Sequence, residues 1–282
     1  KQVDSMIIST NNIPDYISYF RKDILSLDWN IDYIIPYSNT YSIHPQNYGW
    51  INNNKEYGES INIPLNPVEA SFKKINENYE ERFWGAGDEG YTEFTSGLKN
   101  QIDMPLGKIG IATNGIFIYN KNSNSTNQDA VYGNNLEIND NIGGHPDMQN
   151  IYHYRRYPLI NSELDNKIDD HKIIDFLNNQ LKKNNIEGHS KILGFAFDGY
   201  PIYGPIGFDP KDTSNIENKK IKLMQSKYVR KQDKYVYNEN SKGDLDICNG
   251  IFQPTPEFPN GIYHYHTTIK GFYNGKHWQV YE

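Results

Sequence analysis

The chain has 282 residues, with 28 basic and 35 acidic side chains and a formal charge of −7. That length suits one large domain or two small ones, and the acidic balance excludes the electrostatic footprint of a nucleic-acid or anionic-membrane binder. No apolar run approaches the roughly 20 residues that a bilayer crossing needs.

Tyrosine is abundant at 23 residues, isoleucine and asparagine are frequent, and alanine is scarce. β-Branched and aromatic residues suit pleated, half-buried surfaces, whereas Asn, Gly and Pro suit turns. The expectation is a mainly β, sandwich-like single domain with one or two short helices and long loops. Cys248 is the only cysteine, so there is no internal disulfide framework.

In chain order, "KQVDSMIIST" opens without an initiator methionine; a removed signal peptide, trimming or maturation cleavage would each explain it. Residues 1–66 read as an N-terminal segment packed on the core, and 67–282 as the main domain. A helix is predicted at 68–81, after Pro67. Residues 109–119 read "IGIATNGIFIY" and 193–203 read "LGFAFDGYPIY". Gly110, Ala112, Gly115, Ile118 and Tyr119 match Gly194, Ala196, Gly199, Ile202 and Tyr203, and Asn114 matches Asp198. Each copy is two apolar runs joined by Asn-Gly or Asp-Gly, a strong hairpin signal suggesting a type I′ turn.

Residues 121–135 read as an exposed loop, within which Asn124 starts a glycosylation sequon of the kind an Asn-rich chain contains by chance. "NIYHYRR" at 150–156 then matches "GIYHYHT" at 261–267. Two matches in the same order imply a duplication, with pseudo-repeats at about 105–160 and 190–282. The hairpins are offset by 84 residues and the second matches by 111, so the later copy carries 27 extra residues. The polar segment 211–242 can hold them. Between the copies, Ile173, Ile174, Phe176, Leu177 and Leu181 recur at helical spacing, predicting an amphipathic helix over 168–183.

The histidines carry the chemistry. Residues two apart on a strand share a face, so His264 and His266 share one and Tyr263 and Tyr265 the other. Such a pair offers two imidazole nitrogens to one transition metal, zinc or copper, and the alternative is two satisfied core histidines. His153 is the counterpart of His264. His145 lies on a "GGHPD" turn and His189 just before the second hairpin, so His145, His153, His189, His264 and His266 form the candidate metal set. If the copies pack about a pseudo-twofold axis, both Tyr-His-Tyr strands can face one cleft.

Tyr152, Tyr154, Tyr263 and Tyr265 are candidates for supporting hydrogen bonds. Arg155 stands where the second copy has His266; a guanidinium cannot ligate a metal but can hold an anion. Asp244, Asp246 and Cys248 point one way if their segment is extended. Asp198, Asp246 and Cys248 are the catalytic candidates, as base or nucleophile. His44, His171 and His277 take structural or surface roles by default.

These blocks resemble the YHYH-domain family. The resemblance rests on "LGFAFDGYPIYGP" (193–205), "GDLDICNG" (243–250), "GIYHYHTT" (261–268), "GKIGIATNGIFIYN" (107–120) and "GGHPDMQNIYHYR" (143–155), with "ISTNNIPDY" and "INIPLNP" similar to its opening. It implies an extracellular, cell-surface or virion setting, in bacteria or in phages and other viruses, with no defined activity. The family pattern has a histidine where this chain has Arg155 and an acid where it has Ile247, and both departures lower the polar capacity of the site.

Three functions compete. One is a metal-dependent site, hydrolytic or oxidative. The second is a structural or adhesive component that self-assembles or meets a surface or virion partner. The third is carbohydrate binding through exposed tyrosines and Trp29, Trp50, Trp84 and Trp278.

Overall fold

The computed structural model describes residues 4–12, 17–18, 35–36, 41–44, 49–52, 59–67, 107–120, 142–146, 151–158, 170–231, 234–273 and 278–281. The helix predicted at 68–81, the loop 121–135 with Asn124, and Trp29, Trp84 and His277 lie outside these residues. The first strands are β1 (Ser5–Thr10), β2 (Ile17–Ser18), β3 (Ile35–Pro36), β4 (Tyr41–His44), β5 (Gly49–Asn52) and β6 (Glu59–Pro64). The first repeat contributes β7 (Lys108–Ala112), β8 (Phe117–Tyr119), β9 (Gly144–Pro146) and β10 (Tyr152–Tyr154).

Helix α1 (Asp170–Lys183) separates the copies. After it come β11 (Ile192–Ala196), β12 (Pro201–Tyr203), β13 (Ile206–Phe208), β14 (Ile221–Leu223), β15 (Tyr228–Lys231), β16 (Lys234–Tyr237), β17 (Gly250–Gln253), β18 (Ile262–His266), β19 (Lys270–Tyr273) and β20 (Trp278–Tyr281). His44, Trp50, His171 and Trp278 stand on β4, β5, α1 and β20.

Eight of these strands form one mixed sheet in the order β17-β18-β12-β11-β7-β8-β10-β9. Each repeat supplies four of them, and the copies meet where β7 and β11 run antiparallel. There Ile111 faces Phe195, Ala112 faces Gly194 and Gly110 faces Ala196. Since Gly110 corresponds to Gly194 and Ala112 to Ala196, this register maps onto itself. A pseudo-twofold axis runs through the Ile111–Phe195 pair.

Outward from that axis the two halves repeat step by step. Both hairpins carry a register shift, between Lys108 and Gly110 and between Ile192 and Gly194. Both outer pairs are parallel, with Tyr154 beside Ile118 and Tyr265 beside Ile202. Close approach explains the glycines at the junction: a Cβ on Gly110 would stand 2.6 Å from Phe195 O, and one on Gly194 would collide with Ile111 O and Ala112 Cα.

The hairpins form as expected, but not with a type I′ turn. Gly115 N donates to Ala112 O (2.9 Å) and Ala112 N to Ile116 O (2.8 Å), which makes a three-residue loop. The second hairpin repeats this with Gly199, Ala196 and Tyr200, both bonds at 2.9 Å. Only the glycine of each pair has positive φ, 85° at Gly115 and 97° at Gly199. A type I′ turn needs positive φ at two successive residues; one left-handed glycine after a tight turn is the three-residue solution.

Helix α1 buries Ile173 and Leu177, with Ile174, Phe176 and Leu181 packed against the same core as Ala112, Ala196, Ile118 and Ile202. Lys182 and Lys183 occupy its last turn, where cations complement the helix dipole, and Asn184 at φ 50° ends it. A second cluster joins Ile63 of β6 to Ile111 and Phe117, so the β1–β6 ribbon covers part of the sheet as a further layer. Asn12 ties this N-terminal segment down, donating to Tyr152 O (2.5 Å) and accepting from Phe117 N (3.1 Å). Most of the extra length of the second copy folds as two ribbons outside the large sheet, β13 with β14 and β15 with β16.

Candidate functional site

Alternation on β18 sets His264 and His266 on one face and Tyr263 and Tyr265 on the other. Both histidines are buried, at 0% and 3% exposure. His264 Nδ1 lies 2.9 Å from Ile262 O, and His266 Nδ1 lies 2.7 Å from Gly204 O. A carbonyl only accepts, so each Nδ1 carries a hydrogen, and a neutral imidazole has no second one. Both Nε2 atoms therefore present lone pairs, and they face one another at 3.1 Å.

Two neutral rings supply two hydrogens to three hydrogen-bond positions, so the pair is one cation short. A proton in the gap would make a buried imidazolium, and burial opposes that. Loss of water holds His264 below its ordinary value, against the pull of the Ile262 carbonyl. It holds His266 well below, with the charge of His264 adding to the effect and the Gly204 carbonyl opposing it.

His189 sits beside the pair, its ring centroid 6.1 Å from that of His266. Its Nδ1 is committed to Ser190 O at 2.7 Å, and its buried Nε2 has no hydrogen-bond partner. Burial pushes its pKa down to about 4, with the Ser190 carbonyl opposing and the charge of His264 reinforcing the shift. At neutral pH it is an uncharged ring with a free lone pair, the state a metal requires.

Tyr203 walls this site, edge-on to His189 (5.4 Å) and His264 (5.1 Å). Its fully buried hydroxyl lies 2.9 Å from Thr255 Oγ1 and 2.8 Å from the Glu257 carboxylate, and burial, the largest cause, raises its pKa.

The first repeat builds its pair differently. His153 keeps the bond of its counterpart, Nδ1 to Ile151 O at 3.1 Å. Its Nε2 meets that of His145, also at 3.1 Å, but His145 comes from the neighbouring strand, directly opposite on β9. The matching register on β17 puts Ile251 opposite His264. So His145 has no counterpart in the second repeat, and His266 is replaced in the first by Arg155.

In the first pair the same short contact is thus made across the ladder, with His153 Nδ1 engaged by Ile151 O. Tyr119, the counterpart of Tyr203, stacks on His153 at 3.9 Å. Buried Arg155 donates Nη1–H to Asn120 O (2.7 Å), with its guanidinium 5.4 Å from the Tyr119 ring centre.

The five motif histidines thus form two groups. β18 and β10 are separated by four strands of the same sheet, about 24 Å at the usual interstrand spacing. The shared cleft that the duplication allowed is not formed, because the axis passes through the β7–β11 junction and sends the YHYH strands to opposite ends. Among the described residues, no three His, Cys, Asp or Glu side chains meet in a metal-holding group.

The other candidates lie on the tyrosine face. Tyr265 donates its hydroxyl to Asp198 and Tyr263 donates to Asp246 (2.8 Å), while Tyr154 OH in the first repeat accepts from Asn114 Nδ2 (2.8 Å). Tyr152 and Tyr154 are buried in the core on that side. The rings that stand against the histidines are Tyr119 and Tyr203, and the repeat alone singled those two out.

The segment holding Asp244, Asp246 and Cys248 is a series of turns and not extended. Asp246 Oδ1 accepts from Cys248 N and Gly250 N, both at 2.9 Å, and Asp244 pairs with Lys222 (2.8 Å). Asp and Asn followed by Gly favour such local bonds over a strand. Cys248 is exposed.

A duplicated sheet carrying a buried Tyr-His-Tyr strand one place in from the edge of each half defines the class. The sequence profile of the YHYH protein family matches residues 92–275, well over half of the chain, and the chain belongs to that family. No curated protein and no solved structure matches it.

Proposed function

We propose that this YHYH protein is a metal-stapled structural domain whose transition ion, zinc or copper, is held by His264 and His266. The observation that carries this reading is the facing of their two Nε2 lone pairs at 3.1 Å while both Nδ1 atoms are engaged by carbonyls. An ion that binds imidazole nitrogen at 2.0–2.1 Å sets two such nitrogens about 2.9–3.4 Å apart for angles between 90° and tetrahedral. The ion supplies the missing cation, and His189 offers a further lone pair beside it.

Burial favours a structural over a catalytic role. A catalytic metal keeps one position open to substrate, whereas His264 and His266 are closed off from solvent and Asp198 and Asp246 face the other side of the sheet. With His189 Nε2 as a further ligand, the ion would lock β18 to the segment that leads into β11. Within this reading the chain serves as an extracellular, cell-surface or virion component, and its tyrosine-rich faces and long polar loops serve assembly or adhesion.

Metal analysis of protein purified without chelators tests the staple. About one ion per chain is expected, lost in the H264A/H266A double variant and retained in H145A. Wild-type protein that stays metal-free after exposure to zinc and to copper overturns it.

A further inference from the structure

The staple leaves its ion open between zinc and copper, and the inference below rests on that reading. The donors around the pair are all neutral: the imidazoles of His264, His266 and His189. The carboxylates of Asp198 and Asp246 take tyrosine hydroxyls on the far face, Glu257 is engaged by Tyr203, and Cys248 lies at the surface. A bound ion therefore keeps its whole charge in a buried place. The cost of burying an ion rises with the square of its charge, so a monovalent ion is strongly favoured over a divalent one.

A soft donor stands beside the pair. Met224 is 1% exposed, and its Sδ and the Cε1 of His266 lie 2.8 and 2.9 Å from the point where a Cβ on Gly207 would stand. The absence of that Cβ leaves the thioether and the imidazole Cε1 converging on one point, so at most about 5.7 Å separates them. Thioether sulfur selects monovalent copper over zinc, and imidazole accepts both. Zinc in a structural site takes four nitrogen, oxygen or thiolate ligands in a tetrahedron, and only three imidazoles of that kind stand here. Monovalent copper is satisfied by three.

We propose that the ion is monovalent copper, bound by Nε2 of His264 and His266 with Met224 Sδ as the third, soft donor. His189 Nε2 stands in reserve as a fourth. The alternative role for Met224 is ordinary filling of a core gap, and the test separates the two.

The full chain is titrated without oxygen with Cu(I), with redox-inert Ag(I) and with Zn(II), and the copper-loaded protein is measured by X-ray absorption. One Cu(I) or Ag(I) per chain is expected, displacing any Zn(II), with one sulfur and two or more nitrogens around the copper. M224L should remove the sulfur signal and weaken Ag(I) binding at least tenfold while leaving Zn(II) affinity unchanged. If M224L fails to fold, the sulfur signal of the wild-type protein decides.

Zinc binding that Cu(I) and Ag(I) cannot displace, or copper with no sulfur neighbour, overturns the inference and leaves the staple standing. Binding of none of the three ions overturns both.

Discussion

The two repeats solve one geometric problem with different residues. Each brings a pair of imidazole Nε2 atoms to 3.1 Å, and in each the common member, His153 or His264, donates Nδ1–H to the carbonyl two residues before it. The partner differs. In the first repeat it is His145, across the ladder on β9; in the second it is His266, two residues along the same strand. The consequence is electrostatic. The second pair has both Nδ1 atoms committed to carbonyls, so its Nε2 lone pairs face one another, the arrangement the proposed ion would fill. The copies thus differ at two positions around the pair, His145 against Ile251 and Arg155 against His266.

The largest effect that would break this comparison is loss of the ion. At free metal 1,000 times its dissociation constant, binding stabilises a protein by about 4 kcal/mol. The H264A/H266A variant should lose that stabilisation, read as a melting temperature that no longer responds to added metal. The mirror experiment is the double variant H145I/R155H, which gives the first repeat the residues the second has at both positions. We expect metal stoichiometry to rise from one to two per chain, and an unchanged stoichiometry would show that the copies differ by more than these two residues.

Next in size is the junction itself. A Cβ on Gly194 meets only backbone, at Ile111 and Ala112, which cannot move without parting β7 from β11. G194A should cost about 3 kcal/mol, the upper range for overpacking, in urea unfolding. A loss under 1 kcal/mol would mean that the two halves do not share one continuous sheet.

H145A should be milder. It removes one buried hydrogen bond and exposes His153 to an empty contact, worth about 1–2 kcal/mol, and leaves metal content untouched. A fall in metal content would move the ion, or a second one, to the first repeat. Smallest of all, N114D copies the Asp198 of the second hairpin, and its change should stay within about 0.5 kcal/mol at this partly buried turn.

Much of this was legible in residue order. Asn-Gly and Asp-Gly between short apolar runs located both hairpins, and two ordered matches revealed the duplication. The spacing of Ile173, Ile174, Phe176, Leu177 and Leu181 located α1 to within two residues of its observed start and at its observed end. Period-2 alternation put His264 and His266 on one face, a purely local property. The type of turn was less legible, because Asn-Gly suits more than one loop length and strand register chooses between them. The run from Asp244 to Cys248 failed as an extended segment because Asp246 bonds its own downstream amides, a local competitor that alternation ignores.

The sequence by itself determined the repeat, the strands and the shared face of the His-x-His pair, since each follows from backbone periodicity and turn chemistry over a few residues. Tertiary structure alone decided that the YHYH strands lie toward opposite ends of one sheet, that His145 opposes His153 while Ile251 opposes His264, and that Met224 and His266 converge on Gly207. Those are contacts between residues distant in the chain, set by which strands pair and in what register, and no local pattern encodes them. The carbonyls of Ile262 and Gly204 complete the site in the same way: they are backbone atoms without a sequence signature, and they determine which nitrogen of each histidine is free.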